Sequence, residues 1–434
     1  MATITLTNLI KTADTVMANG TKVYPPASPP PAPPPAPPPS PPPSPPPAGK
    51  TVFNVMADFG AKGDFVTDDT AAFTQAIAAA VAVNGDVIIP PPPGGGYILS
   101  NGFSLPAQTS GNPTQIRILA SGPIVSLYYQ GTNPFVFQAT GLVACDFENI
   151  NVILDKSVKN CVVWDIIPTQ TSINHLAWRK CRVQFGTGGN NIAWRTGQVQ
   201  GGSSDIAVCT WDQCEVQSLG GTTAAQDYGD IAWQIGGPQN KQFLFSDCSV
   251  SGCFYRFLFG PIYTNGVPQN VPGQGIYPGG GSATFVGCGG SNCFNDFVFL
   301  GGGRFTIDGD RGENGQRYIQ TGIGVHGYSI NVTGTGCEMQ LYAQNAPDGT
   351  GACILLTGSD TVALNGLAVG DNNAPLDKRM ITVQGSKARL EVRNSEGYFT
   401  DPFYTVQPDT SLEVKGTKIQ ATDGSISGFT QSVG

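Results

Sequence analysis

HLAWRKCRV (175–183), CTWDQCEV (209–216), FLFSDCSV (243–250) and ATFVGCGG (283–290) share one pattern, an aromatic residue followed three positions later by cysteine. Trp178/Cys181, Trp211/Cys214, Phe245/Cys248 and Phe285/Cys288 recur at intervals of 33, 34 and 40 residues. A second apolar segment lies within each interval, centred on Trp194, Trp233, Phe257 and Phe297. Further on, Leu390-Glu391-Val392 and Leu412-Glu413-Val414 repeat at a spacing of 22. A fixed short motif at variable intervals suits a solenoid, in which each coil adds strands and the loops between them vary in length. The expected fold is therefore an all-β solenoid. In it the cysteines stack as small buried groups, Arg179 stands above Asp212, and Arg182 stands above Glu215.

Composition agrees. Only 12% of the 434 residues are charged, and there are 57 glycines, which suits stacked strands and many turns and disfavours helical bundles. Mean hydropathy is −0.06, compatible with a large core. Beyond residue 50 there are 20 basic and 30 acidic residues, the wrong sign for a nucleic-acid partner. No apolar run approaches the roughly 20 residues that span a bilayer, so membrane insertion is not expected. The first 24 residues also lack the basic start and apolar stretch of an export signal. Eleven cysteines are an odd number, so complete internal pairing is impossible, and no CxxC spacing occurs. With His175 and His326 as the only imidazoles, neither a metal nor another cofactor is expected.

The N-terminal part divides by composition. Residues 25–48 hold 17 prolines in 24 positions, which makes a polyproline II rod of about 75 Å at roughly 3.1 Å per residue. Residues 25–49 read as a spacer. Residues 1–24 read as a docking peptide too small to fold alone, with Thr3 to Thr7 alternating like a strand. From residue 50 the solenoid begins. Thr51 to Val55 is strand-like, Asp58 to Asp64 forms a turn, and Thr67-Asp68-Asp69-Thr70 announces a helix N-terminus. Phe73, Ala76, Ile77, Ala80 and Val81 mark one short amphipathic helix, which Asn84-Gly85 stops.

Val55 to Thr70 (VMADFGAKGDFVTDDT), the following helix, Gly85 to Pro90 (GDVIIP) and Gly96 to Leu99 (GYIL) resemble the opening of the pectate-lyase-superfamily right-handed parallel β-helix. Such openings occur in phage tailspikes and in bacterial polysaccharide-degrading enzymes. Two departures stand out: Phe65 replaces the usual glycine, and Pro91 to Gly95 interrupts the segment. The resemblance implies that the Asp-rich stretch caps the first coil, so Asp64, Asp68 and Asp69 read as turn and cap residues. Polygalacturonase and pectate-lyase catalytic signatures are missing in the required order; Asp68-Asp69 belongs to the cap and His326 sits in VHGY.

Phage tailspikes resemble the whole layout of attachment segment, linker and β-helix. That resemblance implies a homotrimer in the virion tail, docked on another tail protein through residues 1–24, that binds or cleaves host cell-surface polysaccharide. The alternatives are a non-catalytic glycan-binding adhesin or virion decoration protein, and a free bacterial polysaccharide lyase or hydrolase. Glycoside hydrolysis needs two carboxylates about 5 to 9.5 Å apart. RFTIDGDRGENGQR (304–317) supplies the first candidates: Asp308 and Asp310 alternating onto one strand face, Glu313 following in a turn, and Arg311 and Arg317 to orient a carboxylate or an acidic sugar. Asp227 and Asp230, in a loop between coils, are the second pair, with a surface turn as the alternative. Tyr263 and Tyr277, on an uncharged excursion from Gly260 to Gly281, are candidates for sugar stacking. Because tryptophans fall on the register of the repeats, the five read as core packing rather than as a sugar platform.

Overall fold

The computed structural model describes residues 16–18, 21–23 and the strands and turns of residues 51–421. It omits the connections at 106–114, 140–143, 167–174, 187–188, 198–205, 220–229, 237–241, 261–280 and 300–302, and several further connections beyond residue 315. The chain forms two units, Met1–Ser44 and Pro45–Gly434. In the first, Val16–Ala18 pairs antiparallel with Thr21–Val23. Thr3 to Thr7 and the proline rod lie outside the described residues.

The second unit is a right-handed parallel β-helix. The coils build three parallel sheets of 13, 13 and 11 strands, every coil but the first and last contributing one strand to each. The first sheet runs from Val52–Asn54 to Ser411–Lys415, the second from Asp64–Asp68 to Lys418–Ala421, and the third from Phe103–Leu105 to Tyr404–Val406. Among the described residues no helix is long and apolar enough to cross a membrane.

The aromatic-x-x-Cys motif is the corner between the first and second sheets. Trp178 and Trp211 are the last inward residues of the first-sheet strands His175–Arg179 and Cys209–Asp212, and the residue before each cysteine turns the chain through left-handed backbone: Lys180 (φ 52°), Gln213 (φ 53°), Asp247 (φ 51°), Gly287 (φ 61°). The cysteine then faces inward. Its thiol donates to the carbonyl of the aromatic residue one coil earlier: Cys214 to Trp178 at 3.4 Å, Cys248 to Trp211 at 3.4 Å and Cys288 to Phe245 at 3.7 Å. All ten described cysteines are buried and unbridged. Burial pushes the Cys181 thiol up to about 12, so these thiols stay neutral.

The interior is an aromatic ladder. Trp164, Trp194, Trp233 and Phe257 stack at 4.8 to 4.9 Å in the third sheet. Trp178, Trp211 and Phe245 stack at 5.0 and 4.5 Å in the first. All five tryptophans are fully buried, as their register predicts. The predicted charge ladder also holds: Arg179 is in register with Asp212 and Arg182 with Glu215. Arg182 pairs with Glu215 at 2.6 Å, whereas Arg179 turns back to Asp146 at 3.6 Å, a carboxylate it shares with His175.

The helix spans Thr70–Val83 and buries Phe73, Ala76, Ile77 and Ala80. Its entry differs from expectation. Asp69 occupies the N-cap position but makes no side-chain cap bond. Its buried carboxylate accepts from the backbone N–H groups of Lys62 (2.6 Å) and Gly63 (3.0 Å) instead, clasping the preceding turn. Asp68 reaches the next coil and accepts from the Ser100 hydroxyl at 2.5 Å. Asp64 accepts from the N–H groups of Val66 and Thr67. The acidic stretch thus serves structure, as its resemblance to a β-helix cap implies. Phe65, where glycine is usual, takes the left-handed φ of 61° that only glycine adopts without strain.

Candidate functional site

The second sheet carries on its outer face a trough of about 310 Å³, lined by Glu215, Ser249, Ser251, Gly289, Ser291, Arg311 and Glu313. Two columns of outward side chains explain it. One runs through Arg182, Glu215, Ser249, Gly289 and Arg311, the other through Gln184, Gln217, Ser251, Ser291 and Glu313. Along both, side chains shorten to serine and glycine over two coils and lengthen again at Arg311 and Glu313. With strands about 4.8 Å apart, the long walls stand three strands, or roughly 14 Å, from each other.

The walls are charged and the floor is hydroxylic. Arg311 and Glu313 pair at 2.6 Å on one rim, with the arginine side chain 71% exposed. Glu215, on the other rim, is drawn away toward Arg182. Between them the Ser291 and Ser251 hydroxyls are 3.3 Å apart. Serine hydroxyls both donate and accept, and the rim supplies one cation and two carboxylates. Such a surface can hydrogen-bond a polyhydroxylated ligand. A side chain at Gly289 would project into the trough: a Cβ there meets only the Arg311 carbonyl oxygen, at 3.7 Å.

Behind the floor lies a buried ionic cluster. Arg256, from the third-sheet strand Tyr255–Phe259, is fully buried and points into the interior. Its guanidinium donates to both oxygens of Asp310 at 2.5 and 3.1 Å and lies 3.6 Å from Asp296. It also rests against the rings of Phe257 and Phe297, 5.0 and 5.3 Å from their centroids. Tyr318 donates its hydroxyl to Asp310 at 3.2 Å. Burial works against the Arg256 charge, but Asp310 and Asp296 outweigh it and hold its pKa above the ordinary value. Burial, reinforced by Asp310, pushes Asp296 up to about 7 against the opposing pull of Arg256. Gly290 makes room for this cluster, because a Cβ there would stand 2.9 to 3.1 Å from the Arg256 side chain.

The first candidate set is therefore divided between the two regions. Asp308 and Asp310 do not share a strand face: Asp308 ends the strand Gly303–Asp308 and is exposed, Gly309 turns the corner at φ 64°, and Asp310 points inward with 1% exposure. Asp310 is the counter-ion of Arg256 and cannot touch a ligand. Glu313 lies in the strand Arg311–Gly315, not in a turn, and it does line the trough with Arg311. Arg317 is buried and donates to Gln320 at 2.9 Å, so it does not reach the trough. Asp230 is not in a surface loop. It is buried and accepts from the N–H groups of Gly189 and Asn191 and from the Ser218 hydroxyl at 2.6 Å, tying neighbouring coils together. Burial raises its pKa against those hydrogen bonds. Asp227, Tyr263 and Tyr277 lie outside the described residues. No group of three or more His, Cys, Asp or Glu among the described residues is placed to hold a metal ion.

Ser249, Ser251, Gly289 and Ser291 escaped the sequence reading, which placed Glu215 only in the charge ladder. A signal for them exists: the residue after each motif cysteine is Arg182, Glu215, Ser249 and then Gly289, so aligned repeats display the outward column losing its side chains.

Residues 52–255 match the family model described as rhamnogalacturonase A/epimerase, pectate lyase-like. No curated protein matches the chain. Among solved structures, ORF18 of Geobacillus virus E2 is 15% identical with a TM-score of 0.46 over 82% of this chain and 62% of that one. The gp42 tailspike of Acinetobacter phage vb_AbaP_AS12 is 9% identical, with a TM-score of 0.49 over 88% and 66%. The mannuronan C-5 epimerase AlgE4 A-module of Azotobacter vinelandii is 12% identical, with a TM-score of 0.41 over 85% and 97%. The chain thus spans less than two thirds of the length of the first two.

Proposed function

We propose that this chain is a phage tailspike whose β-helix, residues 50–434, binds host cell-surface polysaccharide in the second-sheet trough. Residues 1–24 dock on another virion tail protein, residues 25–49 space the β-helix from it, and the chain associates as a homotrimer. The observation that carries the glycan reading is the trough itself, with a floor of serine hydroxyls and glycine between a Glu215 rim and an Arg311–Glu313 rim. The order of segments supports the tailspike reading, since a proline rod has use only where something is held at each end.

Filling the trough tests binding. Gly289→Tyr has space for its Cβ and is expected to leave the melting temperature near that of the parent while abolishing retention on purified host surface glycans. Unchanged retention would remove the trough from the proposal.

Cleavage is a second reading, favoured by one observation. Glu338 stands in register with Glu313 on the adjacent strand, so the sheet sets two acidic residues side by side, the pairing of residue types that glycoside hydrolysis requires. Glu313→Gln is then expected to slow shortening of the glycan by about 100-fold or more while retaining binding. If the parent shortens none of the host's polysaccharides, the protein is a glycan-binding spike without hydrolytic chemistry.

A further inference from the structure

The three outer faces of the β-helix differ in what they leave uncovered. On the third sheet the outward column buries Asp165, Gln234, Leu258 and Val298 and leaves Gln138, Arg195 and Gln320 half-buried. The second sheet carries the trough. The first sheet is open, and its middle is almost free of charge.

Five consecutive first-sheet strands, from Phe243–Ser246 to Thr361–Asn365, present Leu244, Thr284, Thr306, Asn331 and Ala363 along the centre of that face. One flank carries Ser246, Val286, Asp308, Thr333 and Asn365, and the other carries Ser282, Arg304, Ser329 and Thr361. Leu244 and Val286 are 40% and 41% exposed, unusual for large aliphatic side chains in this molecule. On either side of this stretch the same columns carry more charge, with Arg179 and Asp212 before it and Glu391 and Arg393 after it. Within it the described ionic groups are Arg304 and Asp308, both exposed and both on one strand. Neither has an ion-pair partner among the described residues.

That strand lies across the coil axis, so Arg304 and Asp308, four residues apart, sit on opposite edges of the face about 13 Å from each other. Consider copies placed side by side about an axis parallel to the coil. At every height the Arg304 edge of one face meets the Asp308 edge of the next. Each neutral strand then meets its own neutral counterpart, and Arg304 and Asp308 neutralise each other. Turning a copy end over end about this strand would instead set Arg304 against Arg304 and Asp308 against Asp308.

We infer that the outer face of the first sheet is the contact between copies of this chain, in a parallel cyclic assembly closed by Arg304 of each copy pairing with Asp308 of the next. This rests on the oligomer reading above and specifies its face, direction and register. The assembly leaves the second-sheet trough of every copy facing outward.

The experiment is the mass of the full chain in solution, by light scattering over a dilution series, for the parent, Arg304→Asp, Asp308→Arg and the double exchange. Each single exchange sets like charges against each other at every contact and is expected to shift dissociation to at least tenfold higher protein concentration. The double exchange restores opposite charges and is expected to recover the parent's behaviour. Leu244→Asp, two strands from the pair, is a further disruptive variant that the charge exchange does not rescue. Circular dichroism separates dissociation from misfolding. An oligomer indifferent to every single variant would overturn the face and leave the oligomer reading standing, and a monomeric parent would overturn both. Loss in the singles without recovery in the double would overturn the pairing.

Discussion

Asp296→Asn is expected to stabilise the protein above neutral pH and to have little effect in acid. Asp296, Asp310 and Arg256 are each at most 2% exposed, and two carboxylates share one guanidinium. Asp310 takes the two short hydrogen bonds, so a charged Asp296 is the uncompensated member, and one of its oxygens has no hydrogen-bond partner. Its pKa rises from 3.8 to about 7, with burial the largest cause. The folded chain therefore keeps a proton that the unfolded chain has released between those values, and stability declines as pH rises through that window. A difference of about 3 units, at 1.36 kcal/mol each, amounts to roughly 4 kcal/mol once pH exceeds 7. Asparagine fixes the neutral form with nearly the same shape. The difference between variant and parent is then near zero at pH 4 and roughly 4 kcal/mol at pH 8. Carboxylates shared by both proteins, Asp230 among them, cancel in that difference. Urea midpoints at equal protein concentration, read by tryptophan fluorescence, measure it. Trp233 reports locally, because it stacks at 4.8 Å on Phe257, the ring that Arg256 rests against. A difference that is the same at pH 4 and pH 8 would refute the reasoning.

Other perturbations follow from the same packing. Phe65→Gly relieves left-handed strain at a 44% exposed side chain and is expected to raise stability by about 1 kcal/mol, after the lost contact with Tyr128, in thermal melts. Trp194→Ala opens a void in a stack spaced at 4.8 and 4.9 Å and is expected to lower stability by about 3–5 kcal/mol in denaturant titrations. Glu215→Gln breaks the Arg182 pair, whose side chains are 38% and 37% exposed. Its effect on the unfolding midpoint is expected to be below about 1 kcal/mol, so a larger change in glycan retention than in stability would mark Glu215 as a ligand contact.

The sequence displays the β-helix more fully than it displays the site. Stacked coils repeat the same environments, so Trp178, Trp211 and Phe245 announce their own register, and the Arg182–Glu215 contact follows from counting. Sheet identity is legible for the same reason: one inward aromatic in the first sheet, one in the third, a cysteine at the corner between the first two. The trough is a different kind of feature. It arises because Ser249, Ser251, Gly289 and Ser291 are small where neighbouring coils carry Glu215, Gln217, Arg311 and Glu313. A search for chemistry-bearing side chains passes over the positions at which a side chain is missing.

Asp310 shows how the motif itself corrects that search. Ile307-Asp308-Gly309-Asp310 is the aromatic-x-x-Cys corner rewritten: Ile307 is in register with Phe285, Gly309 turns the corner in left-handed backbone as Gly287 does, and Arg311 donates its N–H to the Cys288 carbonyl. Asp310 therefore stands in the inward position that cysteine fills in the preceding coils. Alternation within a strand, which set Asp308 and Asp310 on one face, fails because the corner falls between them. A carboxylate in a cysteine's place would be intolerable in an apolar ladder without a counter-ion, and the chain supplies one two coils earlier: Arg256, the second residue of the otherwise uncharged strand Tyr255–Phe259, fills the volume that Gly290 leaves empty. The three substitutions depend on one another. Asp310 demands a buried cation, the cation demands space, and the space is a glycine in the floor of the trough, so its geometry is set from behind by residues that no ligand touches.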